Sequence, residues 1–166
     1  MVTACAAVGV VAWGLVFAER HAAFTIGLTE SRYPQVARVM ATLTEPTAVV
    51  ISAQHSGSVR YYSGRLTVRW EYLDTDLDEA LVWMRAHGHR PVFLLDRAEV
   101  AALRATARTG ATWAALDWTP RYSFFNGETL YFDPADRGRI DLRTEDFGRY
   151  TVSYTHLRAH ETREDL

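Results

Sequence analysis

Lysine is absent from this chain and cysteine is nearly so. All 18 cationic residues are arginine, and Cys5 is the single thiol among 166 residues. One thiol excludes a disulfide framework within the chain and a cysteine-based metal site. Arginine without lysine, alongside abundant Ala and Val, indicates the codon bias of a GC-rich bacterial genome and not an arginine-rich binding surface.

An excess of positive charge is also missing. The formal net charge is −2 and 48% of the residues are hydrophobic, which is the balance of one globular domain with a real core. Such a chain lacks the electrostatic attraction that nucleic-acid binding requires, so we expect no nucleic-acid partner. No internal repeat is visible.

Charged residues are absent from residues 1–18, where Ala, Val, Gly, Leu, Trp and Phe dominate until Glu19. Eighteen residues of helix span roughly 27 Å, close to the hydrocarbon core of about 30 Å, so we expect a transmembrane helix over residues 1–18. One alternative is a cleaved signal peptide, but no basic residue precedes the apolar stretch. The other is a buried helix of a soluble domain. Because the run starts at full hydrophobicity, we expect the gene to begin upstream of Met1.

The carboxyl-terminal residues carry a different signal. Residues 152–162 resemble the translated read-through of a transposase-type sequencing-library adapter. We therefore expect residues 152–166 to be a non-native tail and exclude them from fold reasoning. His156 and His160 have the i, i+4 spacing of metal ligands, but they belong to this tail.

The natural part of the chain divides into two further segments. Residues 135–151 are charged and poor in apolar side chains, so we expect a poorly ordered tail. Residues 19–134 remain as one α/β domain.

Strand and helix patterns alternate within that domain. Apolar runs predict strands at 49–53, 66–70, 91–96, 112–118 and 129–133, and helical periodicity predicts helices at 33–43, 56–62, 77–87 and 100–107. The pair Asn126-Gly127 is a hairpin turn signal, and Asp96 and Glu99 have the spacing of a capping box. This alternation predicts a small three-layer domain with a mostly parallel sheet and helices on both faces.

A polar, aromatic and basic cluster follows the predicted strand 49–53, where a parallel sheet presents its sites. Serine hydroxyls and backbone N–H groups at a strand-to-helix turn suit an anion, arginine suits phosphate, and tyrosine stacks on a sugar or base. The candidate ligand-binding residues are His55, Ser56, Ser58, Arg60, Tyr61, Tyr62, Arg65 and Arg69.

A purely structural interpretation of the cluster stays open. Ser58 can cap a short helix that Gly64 ends, with the two tyrosines packed under the sheet. The turn lacks the spaced glycines of a dinucleotide site and the Gly-Lys-Ser/Thr of a phosphate loop. His55 lies next to Ser56, but the spacing supplies no third group to orient a catalytic pair. We therefore predict no catalytic residue and no metal ligand.

Several stretches together resemble a known family: residues 50–65, 67–70, 77–78, 91–96 with Glu99, and 116–118. Over residues 1–134 the chain resembles the carboxyl-terminal soluble domain, with the last transmembrane helix, of bacterial multi-spanning glycosyltransferases of the protein-mannosyltransferase type. The resemblance implies an enzyme that moves a sugar from a polyprenyl-phosphate donor to an acceptor at the outer face of the cytoplasmic membrane. The domain would lie in the periplasm.

In such enzymes the catalytic acidic residue lies in an early loop between spans, which this chain lacks, so no catalytic residue carries over. The expected partners are membrane lipid and the missing amino-terminal transmembrane region, and no cofactor is expected in the chain itself. Two alternatives remain: a single-span envelope protein with a non-catalytic α/β binding or assembly module, and a soluble α/β enzyme.

Overall fold

The computed structural model describes residues 2–21, 23–24, 26–73, 77–106 and 112–147. The chain forms two compact units, one up to Arg32 and one from Tyr33 onward. This boundary lies further along the chain than the expected one after residue 18.

The first unit contains helix α1 (Val2–Arg20) and the short helix α2 (Ile26–Glu30). From residue 8 to residue 17 the large apolar side chains of α1 are exposed: Val8, Val10, Val11, Trp13, Leu15, Val16 and Phe17. Within the described residues, no helix has both the length and the apolar character needed to cross a bilayer. A span over residues 1–18 stays a prediction.

The second unit is built around a six-stranded mixed sheet in the order β2-β1-β3-β5-β4-β6. The strands are β1 (Ala48–Ile51), β2 (Leu66–Val68), β3 (Arg90–Asp96), β4 (Tyr122–Phe124), β5 (Thr129–Phe132) and β6 (Glu145–Asp146). The pairs β1–β2, β1–β3 and β4–β6 are parallel. Strand β5 is antiparallel to both of its neighbours, so the α/β class is confirmed and the sheet is mixed.

Helices cover both faces of this sheet: α3 (Arg32–Leu43) and α4 (Ser56–Ser63) on one side, α5 (Leu77–Ala86) and α6 (Arg97–Thr106) on the other. Strand β3 shows why, since its alternate residues serve opposite faces. Val92 and Leu94 pack under α3 and α4, whereas Phe93 and Leu95 pack under α5 and α6. Fully burying each such side chain contributes about 2 kcal/mol of transfer free energy.

The predicted strand at 112–118 is wrong. The described residues there form an irregular loop in which Leu116 and Trp118 are buried. The backbone N–H groups of Thr112 and Trp113 donate to the carboxylate of Asp78, at 2.7 and 2.9 Å, instead of to a neighbouring strand. The apolar residues of this stretch correctly predicted burial. The backbone N–H groups, however, bond to a side chain and not to another strand.

Strand β4 was not predicted, although the turn after it was. Phe125, Asn126 and Gly127 have φ of 53°, 58° and 80°, and they connect β4 to β5 as an antiparallel hairpin. The left-handed backbone explains the Asn-Gly signal, because these two residues tolerate positive φ.

Residues 135–147, the described part of the expected tail at 135–151, contain two short elements. A 3₁₀ turn (Pro134–Asp136) follows β5, and β6 pairs with β4. Asp136 is 1% exposed and accepts two hydrogen bonds from Arg121. The high content of charged residues predicted disorder, but in the structure Asp136 pairs with the oppositely charged Arg121. Residues 148–166, including the tail from residue 152, lie outside the described residues.

Two glycines near α4 give a test of its boundaries. Gly64 ends the helix with φ 66°, whereas Gly57 lies within it, and an added Cβ at either position meets open space. We expect Gly64→Ala to destabilise the protein by about 1 kcal/mol through left-handed strain. Gly57→Ala should stabilise it by about 0.5 kcal/mol through lower chain entropy in the unfolded state. Urea unfolding followed by circular dichroism measures both, and equal shifts would contradict the helix end at residue 63.

Candidate functional site

The predicted cluster does lie at the carboxyl end of β1, where β2 and β3 also end. His55 begins helix α4 and is fully buried, at 0% exposure. Its Nε2 lies 2.8 Å from Oδ1 of Asp96, the last residue of β3. The hydroxyl of Thr129, on β5, donates to the same oxygen at 2.7 Å. The Asp96 carboxylate on β3 therefore joins His55, which follows β1, to Thr129 on β5.

A carboxylate that is hydrogen-bonded to a histidine orients the imidazole, as it does where histidine acts as a general base. The other ring nitrogen of His55, Nδ1, has no hydrogen-bond partner among the described atoms. The Tyr33 ring lies against the imidazole, with 4.7 Å between ring centres. Because the imidazole is wholly enclosed, a solvent-borne substrate has no route to Nδ1 in this conformation.

A second carboxylate at this end of the sheet, that of Glu99, accepts hydrogen bonds from several N–H groups. Its Oε1 accepts from the N–H groups of Ala53 and Gln54, at 2.7 and 3.1 Å, and from Nε1 of Trp70 at 3.2 Å. Its Oε2 accepts from the N–H of Asp96 at 2.9 Å. The last bond is the capping-box contact predicted from the spacing. The first two occupy N–H groups that follow β1, where an external anion would bind.

The two serines are also engaged locally. The Ser56 hydroxyl donates to the carbonyl of Ala53 at 2.8 Å, and the Ser58 hydroxyl donates to the carbonyl of His55 at 3.0 Å. Neither hydroxyl is held toward solvent as a ligand group. The structure thus brings the predicted serines close to His55 but assigns them turn-closing bonds.

Arg65 and Arg69 have structural contacts as well. The Arg65 guanidinium donates to the carbonyls of Ala41 and Thr44, both at 2.8 Å, and so satisfies free carbonyls at the end of α3. Arg69 pairs with Glu71 and stacks over the ring of Tyr72, 5.2 Å from its centre.

The remaining predicted residues form an exposed surface. Tyr61 and Tyr62 are 81% and 41% exposed, with ring centres 4.8 Å apart in an edge-to-face arrangement. Arg38 of α3, which the sequence did not single out, lies over the Tyr62 ring at 5.0 Å. We call the exposed set formed by Arg38, Arg60, Tyr61 and Tyr62 the α4 patch.

A second polar cluster, at the amino end of β3, was missed. Asp133, 2% exposed, accepts from Arg90 at 2.8 Å and lies 3.2 Å from Arg121, which also holds Asp136. The hydrogen bond with Asp136 raises the pKa of Arg121, and the one with Asp133 raises that of Arg90. Burial raises the pKa of Tyr131.

The cluster borders a cavity of about 210 Å³, lined in part by Thr44, Glu45, Arg90, Arg121 and Tyr131. Both arginines are neutralised by carboxylates, so its charge favours neither anions nor cations. No sequence motif links these residues, since they come from separate elements.

No family matches this sequence, and comparisons with curated proteins and with solved structures give no significant match. Within the described residues, no group of His, Cys, Asp or Glu side chains is arranged to hold a metal ion.

The Glu99 carboxylate can be tested by removal. Glu99→Ala removes an acceptor from the N–H groups of Ala53, Gln54 and Asp96, and because Ala53 and Asp96 are buried we expect the free energy of unfolding to fall by about 3 kcal/mol. Glu99→Gln keeps the shape but turns an amide N–H₂ toward these donors, so its loss should be smaller. Glu79→Ala, on the exposed side of α5, is the control and should change stability by about 0.5 kcal/mol or less. Equal effects of Glu99→Ala and Glu79→Ala in urea unfolding would contradict this role.

Proposed function

We propose that this chain is the carboxyl-terminal part of a bacterial membrane glycosyltransferase that uses a polyprenyl-phosphate-sugar donor. Residues 1–18 would form its last span. The α/β domain would lie on the periplasmic side. The observation that carries the proposal is the charge-free apolar segment, in helix α1 with its large side chains exposed, directly before an α/β domain.

The domain itself acts without a catalytic group of its own in this proposal. His55, Asp96 and Glu99 are the groups with acid–base chemistry at the carboxyl end of the sheet, and each is enclosed and hydrogen-bonded inside the domain. Such an arrangement fits a domain that supports or positions an active site elsewhere in the parent enzyme. The catalytic acid belongs to the loop between earlier spans.

The alternative is a single-span envelope protein whose α/β domain is a non-catalytic binding or assembly module. The α4 patch favours it, because exposed tyrosines next to arginine are common in recognition surfaces. Both functions place the domain beside a membrane. They differ in what precedes Met1.

Sequencing the genomic locus through both ends of the reading frame distinguishes them. The transferase proposal expects the frame to continue upstream into several apolar spans, with acidic residues in the first large loop. The complete enzyme should then transfer sugar from a polyprenyl-phosphate donor to an acceptor. A frame that starts at Met1 would refute the transferase and leave the tethered module.

Membrane attachment has its own test. The expressed chain should remain in the membrane pellet after extraction with alkaline carbonate. Val10→Arg places a charge at the middle of α1, where insertion becomes less favourable by about 2.5 to 3.5 kcal/mol, so it should release most of the protein. Ala101→Arg, on the exposed side of α6, is the control and should stay in the pellet. Release of the unsubstituted chain would contradict a membrane span.

A further inference from the structure

Positive charge is concentrated in one part of the second unit. From Tyr33 to Arg69 the cationic residues are Arg38, Arg60, Arg65 and Arg69, and Glu45 is the only carboxylate, in a chain whose net charge is −2. Glu45 pairs with Arg90 at 2.7 Å, at the amino end of β3. The segment that builds α3, α4 and the edge strand β2 is therefore opposite in charge to the rest of the chain.

The exposed side of α4 combines this charge with aromatic rings. Val59 and Ser63 point into the protein, which turns Tyr61 outward, and Gly57 lies one turn before Tyr61 on the same side. Tyrosine and arginine are residues found where a protein meets the headgroup region of a bilayer.

The openness of the patch favours a broad surface over an enclosed ligand. Tyr61 is 81% exposed, so little of its ring has a neighbour in the protein. The Arg38 guanidinium lies over the Tyr62 ring, 5.0 Å from its centre, which keeps a positive charge at the level of the rings. An extended negative surface has access to each of these exposed groups.

We propose that the α4 patch docks on the surface of a bilayer that contains anionic phospholipid. Arg38 and Arg60 attract the headgroups, while Tyr61 and Tyr62 enter the interface. This rests on the proposed function in one respect, that α1 holds the domain at the membrane. Eleven residues lie between Arg20 and Arg32, and even a fully extended chain of that length reaches at most about 40 Å, which limits how far the second unit can lie from the surface.

The experiment uses the full chain with a single fluorescent label. Cys5→Ser removes the native thiol, and Gly57→Cys provides a label position whose Cβ meets open space. The control label is placed at Ala101→Cys on α6, an exposed position on the opposite side of the sheet. Each protein is reconstituted into vesicles containing brominated phosphatidylcholine, either alone or in an equimolar mixture with phosphatidylglycerol. Bromine quenches a fluorophore that reaches the bilayer.

Docking predicts that the label at residue 57 is quenched in the anionic vesicles and much less in phosphatidylcholine alone. Concentrated salt should reverse the quenching, because the Debye length falls to about 3 Å at molar ionic strength. Replacing both Arg38 and Arg60 with glutamine should lower the ratio of docked to undocked molecules roughly thirtyfold. Arg85→Gln, on α5 at the other side of the sheet, should leave that ratio unchanged. Arg60→Lys keeps the charge and should keep the docking.

Equal quenching of both labels would overturn the proposal. So would quenching at residue 57 that is independent of anionic lipid and salt, including quenching that depends on Tyr61 and Tyr62 but not on lipid charge, because the patch would then bind something other than anionic lipid. Carbonate extraction of the same vesicles separates this test from the proposed function. A chain that is retained but shows no quenching refutes docking alone, and a chain that is extracted but quenched by anionic vesicles refutes the span alone.

Discussion

The Glu99 carboxylate is the interaction on which this end of the domain depends. It is 6% exposed and accepts four N–H groups, from Ala53, Gln54, Trp70 and Asp96. These donors follow or end three successive strands. One buried carboxylate therefore holds the chain where β1 and β3 end and where the chain leaves β2, and it supplies an acceptor to the N–H groups of the buried residues Ala53 and Asp96.

This use of Glu99 decides what the neighbouring residues can do. An open parallel sheet often binds a ligand in the crevice beyond its carboxyl ends, because backbone N–H groups point there. Here an internal side chain fills that role, and His55 and Asp96 close the space beside it. The polar groups at this end of the sheet therefore hold the strands together, and the polar and aromatic side chains that remain exposed are those of the α4 patch.

Buried carboxylates stabilise both ends of the sheet, but the groups that bond to them differ. At the amino end Asp133 and Asp136 are buried and receive arginines from β3 and from the residue before β4. Each carboxylate has two arginine partners, Arg90 and Arg121 for Asp133 and Arg121 and Arg139 for Asp136, so neither buried charge depends on a single pair. The network anchors the antiparallel part of the sheet, including residues after β5 whose charge had indicated disorder.

Local patterns in the sequence determined much of the fold, because they depend on neighbours along the chain. The apolar runs of β1, β3 and β5, the short helix ended by Gly64, the Asn-Gly turn and the Glu99 capping contact all followed from spacing. Tertiary structure alone decided which polar groups pair over long sequence distances. Asp78 took the N–H groups of residues 112 and 113 and prevented a strand, β5 entered antiparallel, and Glu99 took the N–H groups expected to bind a ligand. The sequence shows that a charged residue is present, but only the folded chain shows which group it bonds to.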